Sequence, residues 1–403
     1  MNGIGSRSKF SNRAFTRLAC RQHRPSMNHE CSALVFRGIG TSAPPVGPPR
    51  PWTACAFVGL LVVAGCSANA ADPASGSPES VAETASDGGG SGDARDVLGE
   101  SPEADSGTSP PVFDDPLGTP TTGPILAAVG SPGGSGTPPE TWKEHWKEHT
   151  QDLQLVANND WVAMYFDKDV DRQGTEWMLP FMTEVWKYTV AHYGQFTDGQ
   201  RDGRLYAIFH QGKYSGGHPS TYLEQSHDYR NVSDIGPGPW QQVAYDIASH
   251  EVSHIVEYAT RGIFGTPTAT LWRDSKFAEI FQYDLYMGIG KTAEAAKLWR
   301  RFLAIKDSYP RADSYWFRDW FYPIWRDHGG AELMPRYFQL IAENYPKRGL
   351  EYARSLNFGE FVHFMSGAAK TNLKAQATFA FDWPEEREVE FKKAQAEFPN
   401  VKY

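Results

Sequence analysis

Cysteine is absent beyond Cys66. The chain of 403 residues has four, Cys20, Cys31, Cys55 and Cys66. The rest can form no disulfide and offers no thiolate, so a metal there must be held by His, Asp or Glu. Large apolar side chains are scarce in a second region. Residues 67–140 contain no tryptophan, no tyrosine and one phenylalanine, Phe113. Such a segment cannot bury enough surface to offset its ordering entropy. With runs such as ASDGGGSGDA and GSPGGSGTPPE it reads as a flexible linker. Positive charge is also unevenly supplied. Residues 1–66 carry eight basic groups and one acid, a balance of +7, so the remainder holds −16 of the chain's total of −9. An acidic body without a basic cluster excludes nucleic acid as a partner class.

What is present begins with an address. Ala54 to Cys66, ACAFVGLLVVAGC, is an apolar run too short to span a bilayer, and Arg50 precedes it. Its end, Val63-Ala64-Gly65-Cys66, resembles a bacterial lipobox. That resemblance implies lipidation of Cys66 and a chain held at the cell envelope, touching the membrane only through its N-terminal lipid. The competing expectation is cleavage after Ala68-Asn69-Ala70 and plain secretion. The organisation expected is 1–66 for export, 67–140 as linker, and 141–403 as the folded domain. Twelve of the 13 tryptophans lie from Trp142 to Trp383.

Within that domain IASHEVSHIVEYAT, residues 247–260, places His250 and His254 four apart. On a helix they share one face and can aim at one ion. Glu251 lies about 100° round, placed to touch a water on that ion rather than bind it. This is the HExxH arrangement of two Zn2+ ligands and a general base. Pro237 and Pro239 are expected to begin the helix and Gly262 to follow its end. A catalytic zinc needs a third protein ligand and an open position. Glu257 and Thr260 stand where the metzincin pattern would place Gly and His, which excludes that class.

LWRDSKFAEIFQYDLY, Leu271 to Tyr286, resembles the "LWLNEGFAEY" helix of gluzincin peptidases at Leu271, Trp272, Phe277, Ala278 and Glu279. The resemblance implies a zincin-like α+β fold with zinc and peptide or protein substrates. The family's ligand glutamate falls on Ser275 and its following glycine on Lys276. The third ligand must then come from elsewhere: Glu279 is the first choice, and Asp274, 20 residues past His254, the alternative. Asp246 and Asp284 are candidates to orient an imidazole. RLYAIFHQG, with YSGGHPS after it, is expected to be the strand that pairs with extended substrate. LNFGEFVHFMSGAAKTNLKAQATFAFDW resembles the C-terminal helical part of secreted zincins, enhancin-like and plant-type basic secretory proteins among them.

Other histidines compete. KEHWKEHTQ spells the inverted motif HxxEH across His145, Glu148 and His149, and is expected instead to be a docking helix with solvated histidines. His210, His218 and His227 fit turns and strand ends. Tyr315, Tyr322, His328 and His363 are candidate oxyanion donors, and SYWFRDWFYPIW reads as core packing. The expected architecture is a mixed sheet-and-helix lobe followed by a mostly helical one, with the HExxH helix at the junction. The expected function is zinc-dependent peptide hydrolysis with Glu251 as base. A binding lipoprotein on a scaffold that has lost catalysis is the alternative, and a four-ligand structural zinc protein a weaker third reading.

Overall fold

Strands come first, and their sequences explain why they are central. The computed structural model describes residues 130–132, 136–273 and 275–403. Cys66, the export segment, most of the linker and Asp274 lie outside the described residues. The described residues belong to the unit Ala64–Tyr403. A six-stranded sheet runs β1 (Thr141–Lys143), β2 (Asp152–Asn158), β3 (Val162–Phe166), β4 (Leu205–Phe209), β5 (Gly216–Ser220) and β6 (Asn231–Gly236), in the spatial order β1-β2-β3-β4-β6-β5. The β3–β4 and β4–β6 pairs are parallel and the others antiparallel. VAMYF and LYAIF are apolar throughout because both faces of the sheet are covered. Val162, Met164, Phe166, Leu205, Ala207 and Phe209 join the main core. The alternate residues Ala163, Tyr165, Tyr206 and Ile208 join a smaller core with Trp142, Trp146 and Val232 on the other face.

Between β3 and β4 lies α1 (Met178–Tyr193). After the sheet the chain is almost wholly helical: α2 (Tyr245–Ala259), α3 (Ala269–Trp272), α4 (Lys276–Gly288), α5 (Thr292–Leu303), α6 (Tyr322–Asp327), α7 (Leu333–Asn344), a small hairpin β7 (Lys347–Arg348) and β8 (Glu351–Tyr352), then α8 (Phe358–Ala369), α9 (Lys374–Phe381) and α10 (Glu385–Glu397). This is the expected α+β architecture, a mixed-sheet lobe followed by a helical one, with α2 packed against β5, β6, α1 and α4 at the junction. The segment SYWFRDWFYPIW is core, as read. Trp316, Phe317, Trp320, Phe321 and Tyr322 are buried, with Trp316 packed at a tilt against Phe381 at 4.5 Å between ring centres.

Two expectations need correction. Pro237 and Pro239 do not start α2. They lie in the loop after β6, and the helix begins at Tyr245. Proline's fixed φ serves either role, and here Trp240, which follows, anchors the loop by donating to the His210 carbonyl at 2.7 Å. The inverted motif is not on a helix: residues 144–150 form a turn between β1 and β2, with His149 buried and His145 exposed. Trp146 is drawn into the smaller core and takes this turn with it.

Helices α8 and α10 approach so closely that Gly359 is required. A Cβ there would run into the backbone of Glu390 and Phe391. Gly359→Ala is expected to cost about 2 kcal/mol by overpacking, despite alanine's better helix propensity of about 1 kcal/mol. Denaturant unfolding checks this, and a variant more stable than the parent would show that the contact yields.

Candidate active site at the alpha2 junction

Helix α2 forms for ordinary reasons: Ala248, Val252, Ile255, Val256 and Ala259 line one stripe and are fully buried in the main core. That stripe fixes the rotation of the helix and so decides where the polar residues go. The side chain of Gln282 in α4 ties the two helices together, donating to the Asp246 carbonyl at 2.6 Å and to Ser249 Oγ at 3.0 Å.

His250 and His254 converge. Their Nε2 atoms lie 3.2 Å apart, with the rings at 78°. Two nitrogens on one tetrahedral zinc, each about 2.0–2.1 Å from it, sit about 3.3 Å apart, so the pair fits two positions of that ion. The tautomer fits as well. His254 Nδ1–H donates to Glu257 Oε2 at 2.7 Å, and Trp272 Nε1–H donates to Glu257 Oε1 at 2.6 Å. The carboxylate thus holds the proton on Nδ1 and leaves the Nε2 lone pair directed toward His250.

Glu257 is the residue that sequence reasoning missed. It entered there only as the residue that excludes the metzincin pattern. Its spacing of three from His254 on one helix was the available signal. Trp272, matched above as part of the gluzincin-like stretch, has a role as the anchor of Glu257. Glu257→Gln is expected to weaken zinc binding by 10- to 100-fold, read by chelator competition. Unchanged affinity would show that the Trp272–Glu257–His254 chain only packs.

Glu251 is buried and lies against the outermost strand. A Cβ added to Gly217 of β5 would stand 2.5 Å from Glu251 Oε1. This corrects the substrate-strand expectation. RLYAIFHQG does form β4, but β4 is bonded to β3 on one side and β6 on the other, so neither edge is open. The edge strand beside α2 is β5, within the YSGGHPS segment that follows it, and among the described residues it pairs with β6 on one side only.

The remaining candidates fall elsewhere. Glu279 is buried, but its carboxylate receives the Lys276 ammonium at 2.9 Å, and Lys276 also pairs with Asp307 at 2.8 Å. Burial raises the Glu279 pKa to about 7, against the opposing pull of Lys276. Among the described residues, the group of three or more His, Asp and Glu side chains with ligand atoms in reach of one ion contains neither Glu279 nor the α2 histidines. Asp274 lies outside the described residues. At His254 the orienting position expected of Asp246 or Asp284 is held by Glu257. Asp246 is part-exposed, bonded to Tyr286 at 3.0 Å and Arg301 at 2.9 Å. Asp284 is buried and receives Tyr188 OH at 2.8 Å and Trp325 Nε1–H at 2.7 Å. Of the oxyanion candidates, His363 is engaged by Tyr403 and the Phe398 carbonyl, Tyr315 lies under the Arg318 guanidinium, and Tyr322 is in the core.

No family model matches the sequence, and no curated protein matches it. Among solved structures the chain is similar to a crystal structure of an M1 zinc metallopeptidase from Deinococcus radiodurans, with 10% identity and a TM-score of 0.37, over 61% of this chain and 52% of that one. A point mutant of the same enzyme gives 10% identity and a TM-score of 0.37, over 60% and 51%. The chain thus spans about half the length of these structures. At this level the likeness is partial and assigns no family.

Proposed function

We propose that the domain is a zinc-dependent peptidase, exported and carried as a lipoprotein through Cys66. The observation that carries the reading is the convergence of His250 and His254 at 3.2 Å, with the His254 tautomer set by Glu257 and a buried Glu251 beside an open strand edge. A zinc ion held by the two imidazoles would supply a Lewis acid and an acidified water. The chain supplies the rest. An extended peptide pairs its backbone with the free edge of β5. That strand lays the scissile bond beside Glu251, whose carboxylate takes the proton of the attacking water and passes it to the leaving amine. The third protein ligand in this reading is a carboxylate of the 274–279 segment, Asp274 or Glu279.

The alternative, a binding lipoprotein without catalysis, draws on Ser275 and Lys276 in place of the family's ligand glutamate and glycine, and on the Lys276–Glu279 ion pair. Zinc loading of the purified full chain, followed by hydrolysis of a quenched peptide library, separates the two. A peptidase shows chelator-sensitive cleavage; metal-replete protein with no cleavage leaves the binding reading. Asp274→Ala and Glu279→Ala identify the third ligand, since only the true one releases the zinc held by His250 and His254. A Cys66→Ala chain that stays with the membrane fraction would sink the anchoring.

A further inference from the structure

On the face of the sheet opposite α2, four side chains from four separate segments meet. Glu144 follows β1, His149 closes the turn before β2, His210 follows β4 and Asp234 lies within β6. Each is at most 4% exposed. One ligand atom from each lies within 4.8 Å of the others. His210 Nε2 stands 3.0 Å from Glu144 Oε1 and 3.0 Å from Asp234 Oδ1, and His149 Nδ1 stands 3.4 Å from Glu144 Oε1 and 3.1 Å from Asp234 Oδ2.

Two features distinguish this group from a buried ion-pair network. First, the inward atoms Glu144 Oε1, His149 Nδ1, His210 Nε2 and Asp234 Oδ1 are all buried and none has a hydrogen bond of proper geometry. An imidazolium beside a carboxylate would turn its N–H onto the oxygen, because an unsatisfied buried polar atom costs about 1–3 kcal/mol. Of these atoms, His210 Nε2 stands 3.0 Å from both Glu144 Oε1 and Asp234 Oδ1, and His149 Nδ1 stands 3.4 Å from Glu144 Oε1, near the ~3.3 Å expected of ligands on a tetrahedral ion; with all four side chains in reach of one point, the group is arranged for a shared ion. Second, the outer atoms of His210, Glu144 and Asp234 have partners. His210 Nδ1–H donates to Asp167 Oδ2 at 3.0 Å, Glu144 Oε2 accepts the Gln151 N–H at 2.7 Å, and Asp234 Oδ2 accepts Trp146 Nε1–H at 3.0 Å. Tyr214 stacks flat on His149, with ring centres 3.6 Å apart. Outer partners of this kind fix ligand orientation and tautomer at metal centres.

We propose that Glu144, His149, His210 and Asp234 form a second metal site, separate from His250 and His254, that takes a divalent ion of the zinc class and serves structure rather than catalysis. Two imidazoles disfavour magnesium and calcium, which prefer all-oxygen shells. Four protein ligands in a buried site leave no position for substrate. The site has a mechanical use. It pins the irregular 144–150 turn to β4 and β6 directly behind the edge strand. In β5, His218 faces this site, with Nε2 3.5 Å from Asp234 Oδ2, while its neighbour Gly217 faces Glu251 on the other side. The ion would thus brace from behind the strand against which Glu251 rests.

The inference is independent of the peptidase reading, and metal stoichiometry tests it. The full chain is loaded with Zn2+, desalted, and analysed for zinc per folded chain. Wild type is expected to hold two equivalents. His250→Ala/His254→Ala, which leaves the cluster untouched, should retain one, and its melting temperature should fall by several degrees on strong chelation. Asp234→Asn, which preserves shape, should lose one equivalent from wild type while keeping zinc on the α2 histidines. A folded His250→Ala/His254→Ala protein with no bound zinc would overturn the proposal. So would an Asp234→Asn protein with the wild-type count, and this arm decides alone should the double variant fail to fold. Two equivalents without peptide cleavage would sink the peptidase reading and leave this site standing.

Discussion

Glu251→Ala is expected to keep its zinc and lose about a thousandfold or more in turnover. A positioned general acid–base group is worth about 10²–10⁴ in rate, and here the loss should fall on kcat. In the proposed reading, extended peptide is bound by the backbone of β5, which the substitution does not touch, so KM should change little. The same carboxylate can be disturbed from outside. In Gly217→Ala the new methyl stands 2.5 Å from Glu251 Oε1, so the side chain must leave its present position. That variant should share the kcat defect, with zinc content unchanged. Steady-state kinetics on one cleaved peptide, with metal analysis of each protein, read both. A Glu251→Ala protein within tenfold of wild type would remove Glu251 from the base role, whatever the metal content.

Asp284→Asn should change the pH dependence of stability by about 3 kcal/mol. Asp284 is buried among Tyr188, Trp325 and the helices around α4, and burial raises its pKa from 3.8 to about 6, against the opposing hydrogen bonds of Trp325 and Tyr188. The sign follows from linkage. A carboxyl with a raised folded-state pKa binds its proton more tightly in the folded chain than in the unfolded one, so it favours folding at low pH. That advantage is complete below about 3.8 and is lost as pH rises through about 6. A shift of about two units is worth about 3 kcal/mol. Asparagine does not titrate. Relative to wild type, Asp284→Asn should therefore gain about 3 kcal/mol between pH 3.5 and pH 7, whatever fixed cost it pays for turning an amide toward Trp325. Chemical denaturation of both proteins across that range reads the difference directly. Parallel curves would mean that Asp284 titrates normally and that water reaches it.

The parts legible in the sequence were those whose signal is local. RLYAIFHQG reads as a strand and folds as β4, and the equally apolar VAMYF folds as β3 beside it. WMLPFMTEVWKYTVAHY, LWRRFLAIKDSY and AELMPRYFQLIAENYP carry helical spacing of apolar residues within themselves, and they contain α1, α5 and α7. His250 and His254 share a helical face because four residues make about one turn. The edge strand β5 was not legible as such, because GGHPS has neither apolar alternation nor β-branched residues, and only its pairing with β6 makes it a strand. Glu257 was visible but assigned no role, since its value depends on Trp272 arriving 15 positions later. The inverted motif misled in the opposite direction. Its histidine pair is split, with His145 toward solvent and His149 inside, because the segment is a turn and helical spacing has no meaning there.

By itself, the order of residues determined which stretches form helix or strand, that the body of the chain has no cysteine for metal or disulfide, and that two imidazoles on α2 point the same way. These follow from neighbours within one turn of helix or one pleat of strand. Tertiary structure alone decided which strand has a free edge, which carboxylate grips His254, and that Glu144, His149, His210 and Asp234 meet at one point. Those outcomes depend on how strands are ordered in a sheet and on which face each residue lands, and residues 15 to 90 positions apart carry no local trace of their meeting.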